Sequence, residues 1–325
     1  MNLKSVLNKL LDSENPSVVY RMRRNFLNES EKSRKLRNLK REIRESGMAQ
    51  QLLHTREKDG TIATNPYRKW QGPHWTLFSL AEIDYPEGDN SLIPIRDQVY
   101  EWLLSPSHLE FPRSLLIPGQ ENRFRRCASQ EGNAVWYSIK LGLVDERTQI
   151  LVDRLIQWQW PDGGWNCDKR PAARTSSFCE SLIPLRGLHL FGKTFNDEAA
   201  LAASEKTAEF LLKRHLFKRL RDGKVALANF IKINYPVSFY DFLAALKVMA
   251  EMGKIQDKRC ADALDLLQTK QLPDGGFPLE MKNAKTTDKI ETRGSYADWG
   301  PSGKTRMNEF ITADAFGVLK AAGRI

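Results

Sequence analysis

Two segments of the chain repeat one pattern closely enough to constrain the fold. Residues 145–168 and 257–280 each begin with Asp and carry an apolar stripe of helical period. Both then reach a Gln and stop at Pro-Asp-Gly-Gly followed by an aromatic residue. Gly163 and Gly275 can adopt the positive φ that ends a helix, and the Asp before them can hydrogen-bond the backbone of the turn. A weaker copy occupies residues 46–62. A helix that recurs with the same stop signal predicts a helical repeat protein.

A second, more apolar kind of helix follows each stop. The helices before the stops have one apolar and one charged face, which is typical of an outer layer, whereas the following helices must be covered. Helical hairpins of this kind bury their inner members when they stack side by side and close. We therefore predict an all-α fold, an α/α toroid of about five to six helical hairpins. The five apolar inner segments are residues 74–83, 127–143, 176–192, 239–253 and 308–323.

Length and charge suggest where the toroid begins. The 325 residues permit one large domain or two, and the net charge is +10. Between Arg21 and Arg44 the chain has ten basic and three acidic residues. We predict that residues 1–45 form a basic helical hairpin that caps the ring and that residues 46–325 form the toroid.

The basic segment between Arg21 and Arg44 is either a solvated face or a surface for an acidic partner. Nucleic acid is disfavoured, because few aromatic residues interleave with the cations.

Several classes of protein are excluded by composition. No apolar run approaches the roughly 18 residues of a membrane helix, and the mean hydropathy is −0.50. The four cysteines form no CxxC pair, which favours a reducing compartment. The N-terminal segment resembles neither a secretory signal nor a transit peptide, so we expect a cytoplasmic protein. Gly-rich phosphate loops, HExxH and GxSxG are absent from the sequence.

The repeat also carries a family resemblance. The strings QWPDGGW (159–165) and QLPDGGF (271–277) resemble the Gln-to-Trp repeat of the terpenoid cyclase and protein prenyltransferase superfamily, whose members are α/α toroids. Roughly residues 46–325 are similar to bacterial single-toroid proteins described as squalene-cyclase-like or prenyltransferase-like. The resemblance implies an isoprenoid or its diphosphate as ligand. The chain lacks both the DxDD acid cluster of class II cyclases and the Asp-x-Cys zinc motif of prenyltransferases.

The toroid would bring the N-termini of the inner helices to one end. Their dipoles, together with loop cations such as Arg126, Arg170 and Arg174, favour an anionic headgroup there. Alternatively, these cations face solvent and neutralise loop aspartates. No cofactor is required by this arrangement.

Polar residues in the first turns of the inner helices are the candidate site. Asp241 is the first choice for a general acid, because an apolar helix follows it and burial raises the pKa of a carboxyl group. Glu180 and His74 are candidate helpers. Helix capping, or pairing with Arg126 and Arg174, is an equally open role for the two carboxylates. The predicted ligand-binding residues are Tyr240, Trp75, Arg126, Glu131, Asn133, Trp165, Arg170, Arg174, Ser177, Phe178 and Glu309.

Three cysteines and a histidine offer a second constellation. His74, Cys127, Cys167 and Cys179 come from consecutive repeats, and thiolates with imidazole are typical zinc ligands. Unpaired cysteines that act as small core residues are the alternative.

Three functions stay open at this stage. The leading hypothesis is a toroid that binds an amphipathic anionic small molecule and transforms it by acid catalysis, as a lyase, isomerase or transferase. A non-catalytic binding or scaffold toroid is the second hypothesis, and a zinc-dependent toroid enzyme is the third.

Overall fold

The computed structural model describes residues 3–109, 115–117, 123–236 and 240–325, and helices dominate this part of the chain. Four two-residue strands form two parallel pairs, β1 with β2 and β3 with β4. The prediction of an all-α fold is confirmed. The strands are β1 (Asn234–Tyr235), β2 (Met281–Lys282), β3 (Lys285–Thr286) and β4 (Gly294–Ser295). The helices are α1 (Leu3–Leu11), α2 (Pro16–Arg21), α3 (Arg34–Glu45), α4 (Gly47–Leu53), α5 (Pro73–Glu82), α6 (Ile93–Leu104), α7 (Pro106–Leu109), α8 (Ser129–Lys140), α9 (Glu146–Trp158), α10 (Phe178–Phe195), α11 (Glu198–Leu212), α12 (Phe242–Glu251), α13 (Ala261–Thr269) and α14 (Glu309–Ala321).

The repeated stop signal ends α9 and α13 in the same way. Gly163 has φ +101° and Gly275 has φ +90°, a conformation that only glycine adopts without strain. Gln159 and Gln271 donate their side-chain amides to the carbonyls of Gly163 and Gly275, at 3.0 and 2.8 Å. The glutamine and the glycine of the repeat therefore build the turn.

The apolar helices are buried and contact one another in chain order. Helix α5 contacts α8, α8 contacts α10, α10 contacts α12, and α12 contacts α14. Helices α6, α9, α11 and α13 pack against α5, α8, α10 and α12, and they expose more of their residues. The predicted inner segment 239–253 starts as helix at Phe242, and residues 237–239 lie outside the described part.

The N-terminal segment contributes to the core. Helix α2 continues into a short π-helix, Met22–Phe26, and both contact α14. Val18, Tyr20 and Met22 are buried, and Ser17 Oγ donates to the carbonyl of Ile83 after α5, at 2.6 Å. Helix α2 therefore lies between the first and the last of the predicted inner helices.

Hydropathy gives one further result. Within the described residues, no helix has the length and apolar character required to cross a membrane.

Candidate functional site

A network of charges, most of them buried, joins five of the helices. Arg21 of α2 donates to Asp84 at 3.1 Å and to Asp314 of α14 at 3.0 Å. Lys247 of α12 lies 2.9 Å from Asp314, and Arg186 of α10 lies 2.7 Å from Glu82 of α5. Five elements that are far apart in sequence therefore meet in one ionic cluster, which we call the ion network.

Opposite charges keep the ion network ionised. Burial acts to raise the pKa of Glu82, but the charges of Lys247, Arg186 and Arg21 lower that pKa to about 2. The hydroxyl of Tyr235 donates to Glu82 at 3.0 Å. Each buried charge thus has an opposite charge or a hydrogen-bond partner, as low-dielectric surroundings require.

A cavity of about 530 Å³ opens on one side of the ion network, at the C-terminal ends of the inner helices. This volume lies within the range of small-molecule sites. Six basic and four acidic side chains line the cavity, beside an apolar patch that includes Trp136, Leu190 and Val248. The basic residues are Arg21, Arg24, Lys140, Arg186, Lys193 and Lys247, and the acidic ones are Glu82, Asp84, Glu251 and Asp314. We call this space the basal cavity.

A second, much smaller cavity lies on the other side of the ion network. Its volume is about 30 Å³, and Glu82, Arg186, Lys247 and Asp314 border both cavities. The lining is largely aliphatic, with Asp241 at its edge. Such a volume accommodates one or two water molecules.

Asp241 is the N-cap of α12 and is buried. Its carboxylate accepts from the backbone N–H of Ala244 at 2.8 Å and of Asn234 at 2.9 Å. Burial raises the pKa of Asp241 to about 7, although both hydrogen bonds favour the charged form. The group can therefore exchange a proton near neutral pH, but the space beside it is small.

His74 is fully buried in an aromatic cluster at the start of α5. Its Nδ1 lies 3.2 Å from the hydroxyl of Tyr137, and its ring packs edge-on against Trp75 and Trp102. Burial, reinforced by the charge of Lys69, lowers the pKa of His74 to about 3, so the imidazole is neutral at pH 7. Its Nε2 is buried and has no hydrogen-bond partner among the described residues, and the role of His74 as a catalytic helper stays a prediction.

Two of the three predicted loop cations, Arg126 and Arg170, pair with acidic residues. Arg126 donates to buried Glu131 at 2.7 Å and lies 3.9 Å from the Trp158 ring centroid. Arg170 pairs with Asp168 and is exposed. Arg174 is also exposed. These contacts match the alternative in which loop cations neutralise loop acids.

Two cysteines and a glutamate meet beside the N-termini of α8 and α10. The Sγ atoms of Cys127 and Cys167 and a carboxylate oxygen of Glu180 all lie within 4.8 Å of one another. Glu180 also accepts from the backbone N–H of Ser129 at 3.0 Å. Burial raises the pKa of Glu180, and a hydrogen bond to Cys167 lowers the pKa of Cys127. We call these three residues the thiol–carboxylate cluster.

The structure brings together part of the predicted zinc set. Cys127 and Cys167 are brought together as expected, but His74 and Cys179 do not belong to the cluster among the described residues. His74 contacts Tyr137, and burial raises the pKa of the Cys179 thiol to about 12. Glu180, predicted as a catalytic helper, takes the third place.

The remaining predicted residues are dispersed. Phe178 and Tyr240 pack together at 5.1 Å between ring centroids, and Trp165 donates its indole N–H to the carbonyl of Leu155. Ser177 caps α10, and Asn133 is buried on α8. Glu309 accepts from Ser13 at 2.6 Å and lines a separate surface cavity of about 470 Å³. None of the cavities described above is lined by these side chains together with Asp241.

The ion network is the feature that sequence reasoning missed. Its signal is a charged residue with apolar or small residues on both sides, as at Glu82, Arg186, Lys247 and Asp314. A buried charge is costly, so a single Lys or Glu in such a helix indicates a partner on another helix.

Comparison with known proteins adds little to this geometry. A solved structure of the type II terpene cyclase MstE from Scytonema, an arginine-to-alanine variant in complex with its substrate geranylgeranyl dihydroxybenzoate, aligns with 99% of this chain and 100% of its own. The identity is 16% and the TM-score is 0.28. That TM-score is too low for the likeness to support an inference about fold or ligand. No protein-family model and no curated protein matches the chain.

Proposed function

We propose that the chain is an α/α toroid that binds an amphipathic anionic small molecule in the basal cavity. The observation that carries the proposal is the lining of that cavity, in which basic side chains outnumber acidic ones beside an apolar patch. Anionic headgroups are bound by such cations, while apolar surfaces hold hydrocarbon.

Support for the toroid comes from the order of helix contacts. Helices α5, α8, α10, α12 and α14 each contact the next, and Arg21 of α2 bonds to Asp314 of α14 and to Asp84 just after α5. In this proposal α2 is the sixth inner helix and closes the ring. Residues 16–26 then belong to the toroid and do not cap it.

We infer the position of the anionic headgroup from which cations of the basal cavity already pair with acidic residues. Arg21, Arg186 and Lys247 are held by the acids of the ion network. Lys193, on the last turns of α10, is exposed and makes no ion pair within 4 Å among the described residues. We place the anionic group near Lys193 and the hydrocarbon against Trp136 and Leu190.

Acid catalysis by Asp241 on an isoprenoid is not part of the proposal. Of the cavities described above, Asp241 lines the 30 Å³ one, and four residues of the ion network line both that space and the basal cavity. A hydrocarbon chain in the basal cavity would not reach its carboxyl group. The geometry therefore favours the binding hypothesis over the enzyme hypothesis.

Titration with three matched probes tests the proposal. Because the repeat resembles that of terpenoid cyclases and prenyltransferases, the probe is farnesyl diphosphate, with farnesol and inorganic diphosphate as its separate halves. We expect farnesyl diphosphate to bind more tightly than either half, measured by isothermal titration calorimetry. Lys193→Glu should weaken its binding on the order of tenfold or more, since it reverses a charge beside the headgroup.

A charge-matched control distinguishes an effect at the binding site from an effect of the protein's net charge on affinity. Lys58 is exposed and does not line the basal cavity, so Lys58→Glu should leave the affinity unchanged. Equal weakening by both variants, or no binding of farnesyl diphosphate by the unaltered protein, would overturn the proposal.

A further inference from the structure

The thiol–carboxylate cluster is assembled from three separate segments. Cys127 lies just before α8, Cys167 follows the Pro-Asp-Gly-Gly-Trp turn, and Glu180 is in the first turn of α10. Cys127 is exposed, whereas Cys167 and Glu180 are half-buried. One face of the cluster is thus open to an ion from solvent.

Backbone hydrogen bonds hold the three segments in place. The N–H of Arg126 donates to the carbonyl of Asn166 at 2.9 Å, which ties the residues next to Cys127 and Cys167 to each other. The N–H of Ser177 donates to the carbonyl of Trp165 at 2.8 Å, which ties the same loop to the start of α10. The cluster therefore does not depend on a flexible side chain reaching across a gap.

The carboxylate is oriented by a donor of its own. Glu180 Oε2 accepts from the N–H of Ser129, which leaves Oε1 directed at the thiols. Outer-shell hydrogen bonds of this kind fix the orientation of metal ligands. The separation of Cys167 Sγ and Glu180 Oε1 is 3.5 Å. A tetrahedral ion with bonds of roughly 2.3 Å to sulfur and 2.0 Å to oxygen requires about the same separation.

We propose that Cys127, Cys167 and Glu180 bind a zinc ion with one coordination position open to solvent. Two thiolates disfavour the hard cations Mg²⁺ and Ca²⁺, and the mixed sulfur and oxygen donors suit the borderline softness of zinc. Three protein ligands and a fourth open position are the arrangement of reactive rather than purely structural zinc sites. Two thiolates and a carboxylate bound to Zn²⁺ carry a net negative charge, and Lys69 interacts electrostatically with Glu180 and Cys127 to offset it.

Zinc titration of the full-length protein tests the site. The chain is reduced, stripped with a chelator and titrated with Zn²⁺ against a chromophoric competitor. We expect one tightly bound equivalent. Cys127→Ser, Cys167→Ser and Glu180→Gln should each weaken binding by more than about 100-fold, since loss even of an outer-shell group costs 10- to 100-fold. Co²⁺ in place of zinc should give a thiolate-to-metal charge-transfer absorption that both serine variants reduce.

Cys179→Ser is the matched control. Cys179 is adjacent to Glu180 but outside the cluster, so its replacement should leave zinc affinity unchanged. Thermal melts in chelator establish that each variant is folded before its affinity is compared. The proposal is overturned if the reduced protein takes up no zinc at micromolar concentration, if Glu180→Gln binds as tightly as the parent, or if Cys179→Ser weakens binding equally. It is also overturned if Cys127 and Cys167 are found only as a disulfide that excludes metal.

Discussion

At the scale of the single residue, two opposing effects act on the pKa of Asp241. As the N-cap of α12 it accepts two backbone hydrogen bonds, which favour the carboxylate. Its burial in largely aliphatic surroundings favours the neutral acid more strongly, so the pKa rises to about 7. The residue types next to it in sequence indicate the burial, but only the structure reveals how small the adjoining cavity is.

The raised pKa of Asp241 predicts a pH dependence of stability. The unfolded chain releases this proton near the ordinary value of 3.8, whereas the folded protein retains it to about 7, so stability is lost as pH rises through that window. From pH 5 to pH 7 this loss amounts to about 2 kcal/mol. Asp241→Asn should remove it, and urea unfolding of both proteins across this range measures the difference. A difference between them that does not vary with pH would contradict the prediction.

At the scale of the element, glycines determine how closely two inner helices approach. A Cβ atom on Gly132 of α8 would lie 2.7 Å from the Pro184 backbone of α10, and one on Gly187 would lie 2.6 Å from the Gly132 carbonyl oxygen. The two helices therefore cross with their backbones in contact. Neither glycine ends a helix, so turn chemistry does not explain them.

A methyl group at this crossing should be destabilising. Gly132→Ala forces α8 and α10 apart, and overpacking of this kind costs about 1–3 kcal/mol. Gly47→Ala, where nothing lies within 4 Å of the new Cβ, is the control and should be neutral or slightly stabilising. Denaturant midpoints measure both. Equal stability of the two variants would show that the helices can separate without cost.

At the scale of the whole molecule, the ion network connects the N-terminal segment to the rest of the chain. Arg21 is 3% exposed and pairs with Glu82, Asp84 and Asp314, which follow it by up to 293 residues. Hydrophobic burial alone does not specify which helices become neighbours, whereas a buried charge tolerates only a partner of opposite sign. The network therefore selects one arrangement of the inner helices.

Loss of Arg21 should affect the stability of the entire fold. Arg21→Ala leaves buried carboxylates without their shared cation, which costs about 3–5 kcal/mol. Arg37, exposed on α3, provides the control, because Arg37→Ala should change stability by less than about 0.5 kcal/mol. Chemical unfolding followed by circular dichroism measures both. An effect of Arg21→Ala no larger than that of Arg37→Ala would mean that α2 is peripheral.

The sequence by itself determined the helices, which of them are apolar and buried, and the turns that end α9 and α13. Helical periodicity and the Gly163 and Gly275 stops depend on residues close in the chain, so local physical chemistry specifies them. It also placed Cys127 and Cys167, together with His74 and Cys179, in consecutive repeats as one candidate zinc set.

Only the tertiary structure decided which distant side chains meet. Among the described residues Glu180, and not His74 or Cys179, joins the two thiols, and the basal cavity opens at the C-terminal ends of the apolar helices, opposite the predicted end. These outcomes depend on how closely helices cross and how each side chain is rotated. Small backbone offsets, as at Gly132, change both, and no local pattern in the sequence encodes them.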